Sequence, residues 1–315
     1  MGALLNMRVS VTSKAFSKND YLIRYLSENF LDINLNNSLH KLSDDELIVF
    51  LKDSDAVILA LEEINERVLR ALPNLQVISK FGVGLDNIDF AACQKYGVKV
   101  LHRPGVNRFA VAELTLCLTI SLFRNVFYTA SKLSTGNWIK NGGRGLFGKT
   151  IGIIGFGNAG MAFADLLAPF DCNLKVVDIL DKKLELKKYK AEQVNLEDLL
   201  KASDLISIHV PLTIETVGMV NHSFLDAMKE SGYLINTARG EVVDLIALRE
   251  ALLNNKIAGA ALDVYDVEPP TDYELLRLDN LIPTPHIAGN SYEATKAMGE
   301  SAVDLLCEYF KERNN

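Results

Sequence analysis

Short aliphatic and β-branched runs alternate with amphipathic stretches along almost the whole chain. Residues 8–12, 56–60, 75–80 and 98–101 are short runs rich in β-branched and aliphatic residues and read as strands. Segments 20–30, 43–51 and 64–72 between them carry apolar residues at helical spacing. Such strand–helix alternation predicts a parallel sheet with helices on both faces. A long helix over about 108–128 ends this block. Residues 134–148, with glycine at 136, 142, 143, 145 and 148, predict a loop-rich connector. A second alternation follows. Its strands are expected at 150–154, 173–178, 204–209, 232–236 and 258–262, and its helices at 159–168, 196–202, 223–228 and 245–253. A last helix over 291–310 closes the chain.

The length of 315 residues fits two such units, at roughly 100–200 residues per domain. The net charge of −7, from 33 basic and 40 acidic residues, argues against generic nucleic-acid binding, which needs clustered cations. A small anion held in one local pocket remains compatible with it. The longest apolar run, 110–122, contains Glu113 and three Thr or Ser residues. It reads as a buried helix, not a membrane span of the required ~20 residues. The first eight residues lack a basic n-region, and Asn6 stands where an acylation pattern wants Ser or Thr. Cys93, Cys117, Cys172 and Cys307 are scattered with no C-x-x-C. That spacing predicts reduced, mostly buried thiols in a cytoplasmic protein and no metal site.

Gly155-Phe156-Gly157-Asn158-Ala159-Gly160 matches G-x-G-x-x-G. The bare pattern is weak, but here it follows an apolar strand and opens a helix, and Asp178 ends the next strand 18 residues after the third glycine. The full context is a dinucleotide fingerprint. Glycines permit the tight turn, the helix N-terminus offers N–H groups to a pyrophosphate, and Asp178 accepts from ribose hydroxyls and repels a 2′-phosphate. NAD is therefore the expected cofactor. Immediately upstream, 143–150 satisfies G-x-x-x-x-G-K-[ST], yet it leaves a loop and enters a strand, the reverse of what a phosphate-binding loop requires.

Three further segments fall near expected strand ends or in loops: Asn236-Thr237-Ala238-Arg239-Gly240, Asp263 to Glu268, and Pro285-His286-Ile287-Ala288-Gly289. Singly, Arg239 reads as a surface charge, Glu268 as a loop acid and His286 as a solvated histidine. Together, downstream of the fingerprint, they resemble the D-isomer-specific 2-hydroxyacid dehydrogenase family. The resemblance extends to Phe81-Gly82-Val83-Gly84-Leu85-Asp86-Asn87-Ile88-Asp89, Pro104 to Asn107, Ala110 to Glu113, His209-Val210-Pro211-Leu212-Thr213, and Ala261 to Val264. It is closest in motif to the phosphoglycerate dehydrogenase-like subgroup.

The resemblance implies a Rossmann NAD-binding domain (108–290) inserted into a flavodoxin-like substrate, or lid, domain (1–107 plus 291–315). It implies hydride chemistry in a cleft whose closure excludes water. His286 would exchange a proton with the substrate oxygen, Glu268 would fix its tautomer and raise its pKa, and Arg239 would pair with the substrate carboxylate. Backbone N–H groups of Gly82, Val83 and Gly84 would hold that carboxylate too, with Lys80 and Asn107 as further substrate residues. Cofactor contacts are implied at Gly155, Gly157, Asn158, Ala159, Gly160 and Asp178, and at His209, Val210 and Pro211 bordering the adenosine. Thr213, Thr237, Ala238, His286 and Gly289 join them, and Asp263 would meet the nicotinamide carboxamide. His40 and His222 read as surface residues.

One departure stands out. Phosphoglycerate dehydrogenases commonly carry an Arg after the third lid strand to grip the substrate phosphate, whereas residues 60–63 here are Ala-Leu-Glu-Glu. Arg103 and Arg108 are the alternative cations nearby. The expected substrates are therefore 3-phosphoglycerate/phosphohydroxypyruvate or glyoxylate/hydroxypyruvate. The competing readings are an NADH-sensing binding protein or corepressor without turnover, and a phosphite- or formate-type dehydrogenase on the same fold. A homodimer is expected, paired through the apolar helix after Val106.

Overall fold

The computed structural model describes residues 5–38 and 40–314. Residues 1–4, part of the segment on which the leader and acylation readings rest, lie outside them. The chain divides into two compact units, one formed by residues up to 107 together with those from 291 onward, the other by 108–290.

In the first unit the strands are β1 (Leu5–Val11), β2 (Phe30–Leu35), β3 (Ala56–Leu59), β4 (Val77–Lys80) and β5 (Lys99–Leu101). They form one parallel sheet in the order β2-β1-β3-β4-β5, which is the flavodoxin order. Every residue of β3 and β4 is buried, as expected for strands covered on both faces. Val57, Leu59 and Ile78 face a layer containing Leu47, Leu51, Val68 and Ala92. On the other face Val9, Val11, Ile58 and Val77 meet Ala302, Val303, Leu306 and Phe310 of the helix Tyr292–Asn314. Local signals set the helix starts: Ser43 and Glu46 form a capping box, and Asn19, Asn65 and Asp89 cap their helices by side-chain acceptance.

The second unit holds β6 (Thr150–Ile154), β7 (Asn173–Val177), β8 (Ala191–Gln193), β9 (Leu205–Ile208), β10 (Tyr233–Asn236), β11 (Gly259–Leu262) and β12 (Leu281–Pro283). The parallel order is β12-β11-β10-β9-β6-β7-β8, a doubly wound sheet that reverses direction between β6 and β9. Ligands of such sheets lie outside the carboxyl ends of the strands at that switch point.

Several elements depart from the sequence reading. The segment 20–30 does not stay helical: its helix is Asp20–Ser27, and Phe30 opens β2. β8 and β12 are also unanticipated. The apolar stretch 108–128 is not one helix. Asn125, with φ 52°, breaks it into Arg108–Phe123 and Val126–Ser134, bent by 70°. Among the described residues no single helix is long and apolar enough to cross a membrane. Cys93, Cys172 and Cys307 are buried and Cys117 is exposed.

Candidate active site

The glycine turn joins β6 to the helix Asn158–Leu167, and its three glycines have three different steric reasons. At Gly155 (φ 90°) a Cβ would lie 2.7 Å from the carbonyl carbon of His209, so the turn lies against the end of β9. At Gly160 a Cβ would lie 2.3 Å from the Gly155 carbonyl oxygen, so the helix abuts the strand. At Gly157 nothing lies within 4 Å. The open position is where a pyrophosphate needs backbone access. The N–H groups of Gly157, Asn158, Ala159 and Gly160 have no acceptor among the described residues, as at any helix start awaiting an anion. Asp178 follows β7, and its Oδ2 accepts from Phe156 N–H at 2.7 Å, tying the end of that strand to the turn. The residues present fit a dinucleotide.

His209 follows β9 with Nε2 2.9 Å from Ser207 Oγ. Burial pushes its pKa down to about 4, so it is neutral near pH 7. Val210, Pro211 and Thr213 follow it, with Thr213 N–H bonded to Thr216 Oγ1 at 2.8 Å. Thr237 Oγ1 lies 3.2 Å from Thr115 Oγ1 in buried surroundings. His40 and His222 lie at the surface beside Glu46 and Glu250.

The carboxyl ends of β10, β11 and β12 bring three further side chains to one region. Asn236, fully buried, accepts from Ala238 N–H and donates to the Arg239 carbonyl, shaping the turn that presents Arg239. Gly240 then passes so close to the 265–266 backbone that a Cβ there would lie 1.9 Å from the Tyr265 carbonyl carbon. The Arg239 turn and the Glu268 loop are therefore in direct backbone contact. Glu268 Oε1 accepts from Tyr265 N–H at 3.1 Å, and Oε2 lies 2.7 Å from His286 Nδ1.

Asp263 is completely buried and holds the His286 loop. Its carboxylate accepts from Thr284 Oγ1 (2.6 Å), Ile287 N–H (2.9 Å) and Ala288 N–H (2.8 Å), and its carbonyl accepts from His286 N–H (2.8 Å). These bonds over-determine a histidine at φ 52°, a region unusual for a non-glycine residue. Gly289 continues the same loop. The charges are set accordingly. The hydrogen bond His286 donates to Glu268 raises the His286 pKa despite partial burial. Burial pushes Glu268 up, but the hydrogen bond and charge of His286, the Tyr265 N–H and the Arg239 charge together outweigh it and leave the carboxyl below its ordinary value. Arg239 is near enough to lower both.

In the first unit, β4 leads into the loop 81–86. Gly82 has φ 122°, a conformation glycine tolerates. The N–H groups of Gly82, Val83 and Gly84 have no acceptor among the described residues, and these residues are half-buried. Three successive unbonded N–H groups suit an anion. Lys80 is buried, with Nζ donating to the Ala60 carbonyl (2.5 Å) and Asn87 Oδ1 (2.6 Å). Asn107 is half-buried at the last position of the unit's longer segment.

The family profile described as D-isomer specific 2-hydroxyacid dehydrogenase, NAD binding domain, matches residues 116–288. The chain belongs to this family. It is 41% identical over 279 residues to a glyoxylate reductase of Thermofilum pendens, covering 85% of this chain and 82% of that one. It is 37% identical over 277 residues to a hydroxypyruvate reductase of Thermotoga maritima, covering 86% and 89%. Among solved structures, the D-lactate dehydrogenase of Aquifex aeolicus complexed with NAD and lactic acid superposes with a TM-score of 0.85 at 28% identity, covering 97% and 96%.

As an NAD-dependent 2-hydroxyacid dehydrogenase, the chain contains site residues that sequence reasoning passed over. Asn236 and Gly240 flank Arg239 and fix its turn, and their adjacency to that arginine was the available signal. Asn87 lies within the quoted 81–89 motif, yet its bonding partners, Ala60, Glu62 and Lys80, are apparent only in three dimensions.

Proposed function

We propose that this dehydrogenase reduces a small unphosphorylated 2-keto acid of the glyoxylate or hydroxypyruvate class, with His286 as the proton donor. The observation that carries the reading is the 2.7 Å bond between His286 Nδ1 and Glu268 Oε2. It commits Nδ1 to the carboxylate and leaves Nε2 as the nitrogen that exchanges a proton with the substrate oxygen. When bound, the dihydronicotinamide supplies the hydride that reaches C2 of the keto acid. His286 Nε2 gives its proton to the carbonyl oxygen as the C=O π bond opens, and Glu268 stabilises the imidazolium beforehand. Arg239 pairs with the carboxylate and polarises the carbonyl, a planar two-pronged task that suits guanidinium. The N–H groups of residues 82–84 are the second set of carboxylate donors. Oxidation runs the same steps backwards, with neutral His286 as base.

Absence of phosphate on the substrate is supported by residues 60–63. They carry no cation; Glu62 is buried with Oε2 lacking a hydrogen-bond partner among the described residues, and Glu63 lies at the surface near Lys41. A dianion there meets acid instead of arginine. A cytoplasmic homodimer completes the proposal. Phe109, Val126, Phe127, Leu133, Trp138 and Phe147 are exposed apolar residues within one stretch of the second unit, and a second copy of the chain is the occupant we assign to them.

The test is a panel of NADH oxidation rates with glyoxylate, hydroxypyruvate, phosphohydroxypyruvate, pyruvate and longer 2-keto acids, run on wild type and His286→Ala. Turnover is expected with the first two, falling by about 10²–10⁴ in the variant. Binding of NADH with no turnover on any acid would return the protein to a sensing role, and activity confined to phosphohydroxypyruvate would overturn the substrate reading.

A further inference from the structure

Lys80 and Asn87 bracket the loop that carries the three unbonded N–H groups. The bond from Lys80 Nζ to Asn87 Oδ1, at 2.6 Å, closes residues 81–86 into a ring. Asn87 Nδ2 then donates to the carbonyls of Ala60 (3.2 Å) and Glu62 (2.6 Å), and Lys80 Nζ to that of Ala60 (2.5 Å). Both ends of the ring are thereby fastened to the segment leaving β3. Backbone bonds extend the fastening: Ile64 N–H to the Asn87 carbonyl at 2.9 Å, and Asp89 N–H to the Ile64 carbonyl at 2.8 Å. The Lys80 stem lies close to Gly82, since a Cβ there would be 3.9 Å from Lys80 Cε.

A buried ammonium is stable only where acceptors replace its water. Here internal oxygens do so, on both sides of the loop. We propose that Lys80 and Asn87 are positioning residues: they staple the 82–84 loop in the conformation that receives the substrate carboxylate, and Lys80 acts without touching the substrate. The inference rests on the reading of 82–84 as a carboxylate cradle. An unstapled loop would have to be ordered at the moment of binding, and that cost falls on substrate affinity, leaving hydride transfer and cofactor binding in the other unit alone. Neither residue's chemistry suggests this from sequence, where a lysine beside a glycine loop reads as a direct anion contact.

The test uses the full chain and the best acid of the panel. Lys80→Met, Asn87→Ser and the double variant are compared for keto-acid KM, kcat, NADH Kd by fluorescence titration, and the pH profile. Each single change is expected to raise KM about tenfold or more. In the double variant KM should rise no further than in the worse single, because one device has been broken twice. kcat, NADH Kd and the pH limbs should remain within about twofold of wild type. A purely structural weakening would instead lower thermal stability with KM unmoved, and that result overturns the proposal. So does a large KM effect from Lys80→Met with none from Asn87→Ser, which would mark Lys80 as a direct contact. If Lys80→Met does not fold, Asn87→Ser decides alone: raised KM with retained kcat and NADH affinity supports the staple, and unchanged KM refutes it. A wild type inactive on every acid refutes the functional reading, whereas an active wild type with unmoved variants refutes only this inference.

Discussion

Gly240→Ala isolates the backbone contact that couples the arginine and the acid–base pair. The added Cβ would lie 1.9 Å from the Tyr265 carbonyl carbon, 2.2 Å from its oxygen and 2.4 Å from Asp266 N. The first of these is 1.5 Å inside the 3.4 Å at which ordinary contact begins. No side-chain rotation relieves it, because every atom met is backbone. Either the Arg239 turn or the 265–268 loop must retreat by about the same distance. Overpacking of this kind costs about 1–3 kcal/mol. At roughly 2–4 °C per kcal/mol for a unit of this size, the melting temperature should fall by about 2–12 °C. A displacement on the 1 Å scale at a reacting centre costs about 10²-fold in rate. The assay is kcat/KM for keto-acid reduction beside calorimetry and an NADH titration. Activity should fall about a hundredfold with a much smaller loss of NADH affinity, since the glycine turn and Asp178 lie on other strands. A variant with wild-type kcat/KM and melting temperature would show that the two segments need not touch. Equal losses of activity and NADH affinity would show damage spread through the unit.

Three further outcomes follow from the same geometry. Glu268→Gln removes the main cause of the raised His286 pKa; because reduction needs protonated His286, its alkaline fall in kcat/KM should move to lower pH, and the rise of the oxidation rate should begin at lower pH too. An unmoved limb would separate Glu268 from the titrating group. Asp178→Ala removes charge-assisted acceptance from the ribose and should shift the NADH-to-NADPH ratio of kcat/KM toward NADPH by about 10–10²-fold, whereas an unchanged ratio would take Asp178 out of the ribose position. Light scattering should give a mass near twice 34.8 kDa, and a monomeric mass would leave the exposed 109–147 apolar residues without the partner assigned to them.

The fold was legible where burial imposes a pattern and obscure where it does not. β3, β4, β6, β9, β10 and β11 are interior strands with both faces covered, and their largely aliphatic runs announce them. β2, β8 and β12 are all sheet edges. β8 is the polar triplet Ala-Glu-Gln, and β12 ends in a proline that only an edge tolerates. The apolar spacing of 108–128 runs unbroken through Asn125, so the left-handed turn there leaves no hydrophobic signature. The family match bears out the NAD fingerprint and the 2-hydroxyacid assignment. What no linear pattern carries is fastening: Asp263 reads as a cofactor contact, and only the structure shows its carboxylate also accepting from Thr284 Oγ1 and from two backbone N–H groups of the His286 loop.

The discontinuity of the first unit also governs the order in which it can be made. Its last helix, Tyr292–Asn314, supplies Ala302, Val303, Leu306 and Phe310 to the face of β1, β3 and β4. It also lies so close to the helix Asp20–Ser27 that a Cβ on Gly299 would come within 2.4 Å of Leu22. On the ribosome that helix appears only after residues 108–290 have been synthesised, an interval of roughly 10–40 s at about 5–20 residues per second. For that time Val9, Val11, Ile58 and Val77 lack the part of their cover that Ala302, Val303, Leu306 and Phe310 supply, and the second unit has its whole sequence before that helix emerges. The part of the protein translated first is therefore the part completed last, and its nascent sheet is where chaperone binding and aggregation should concentrate.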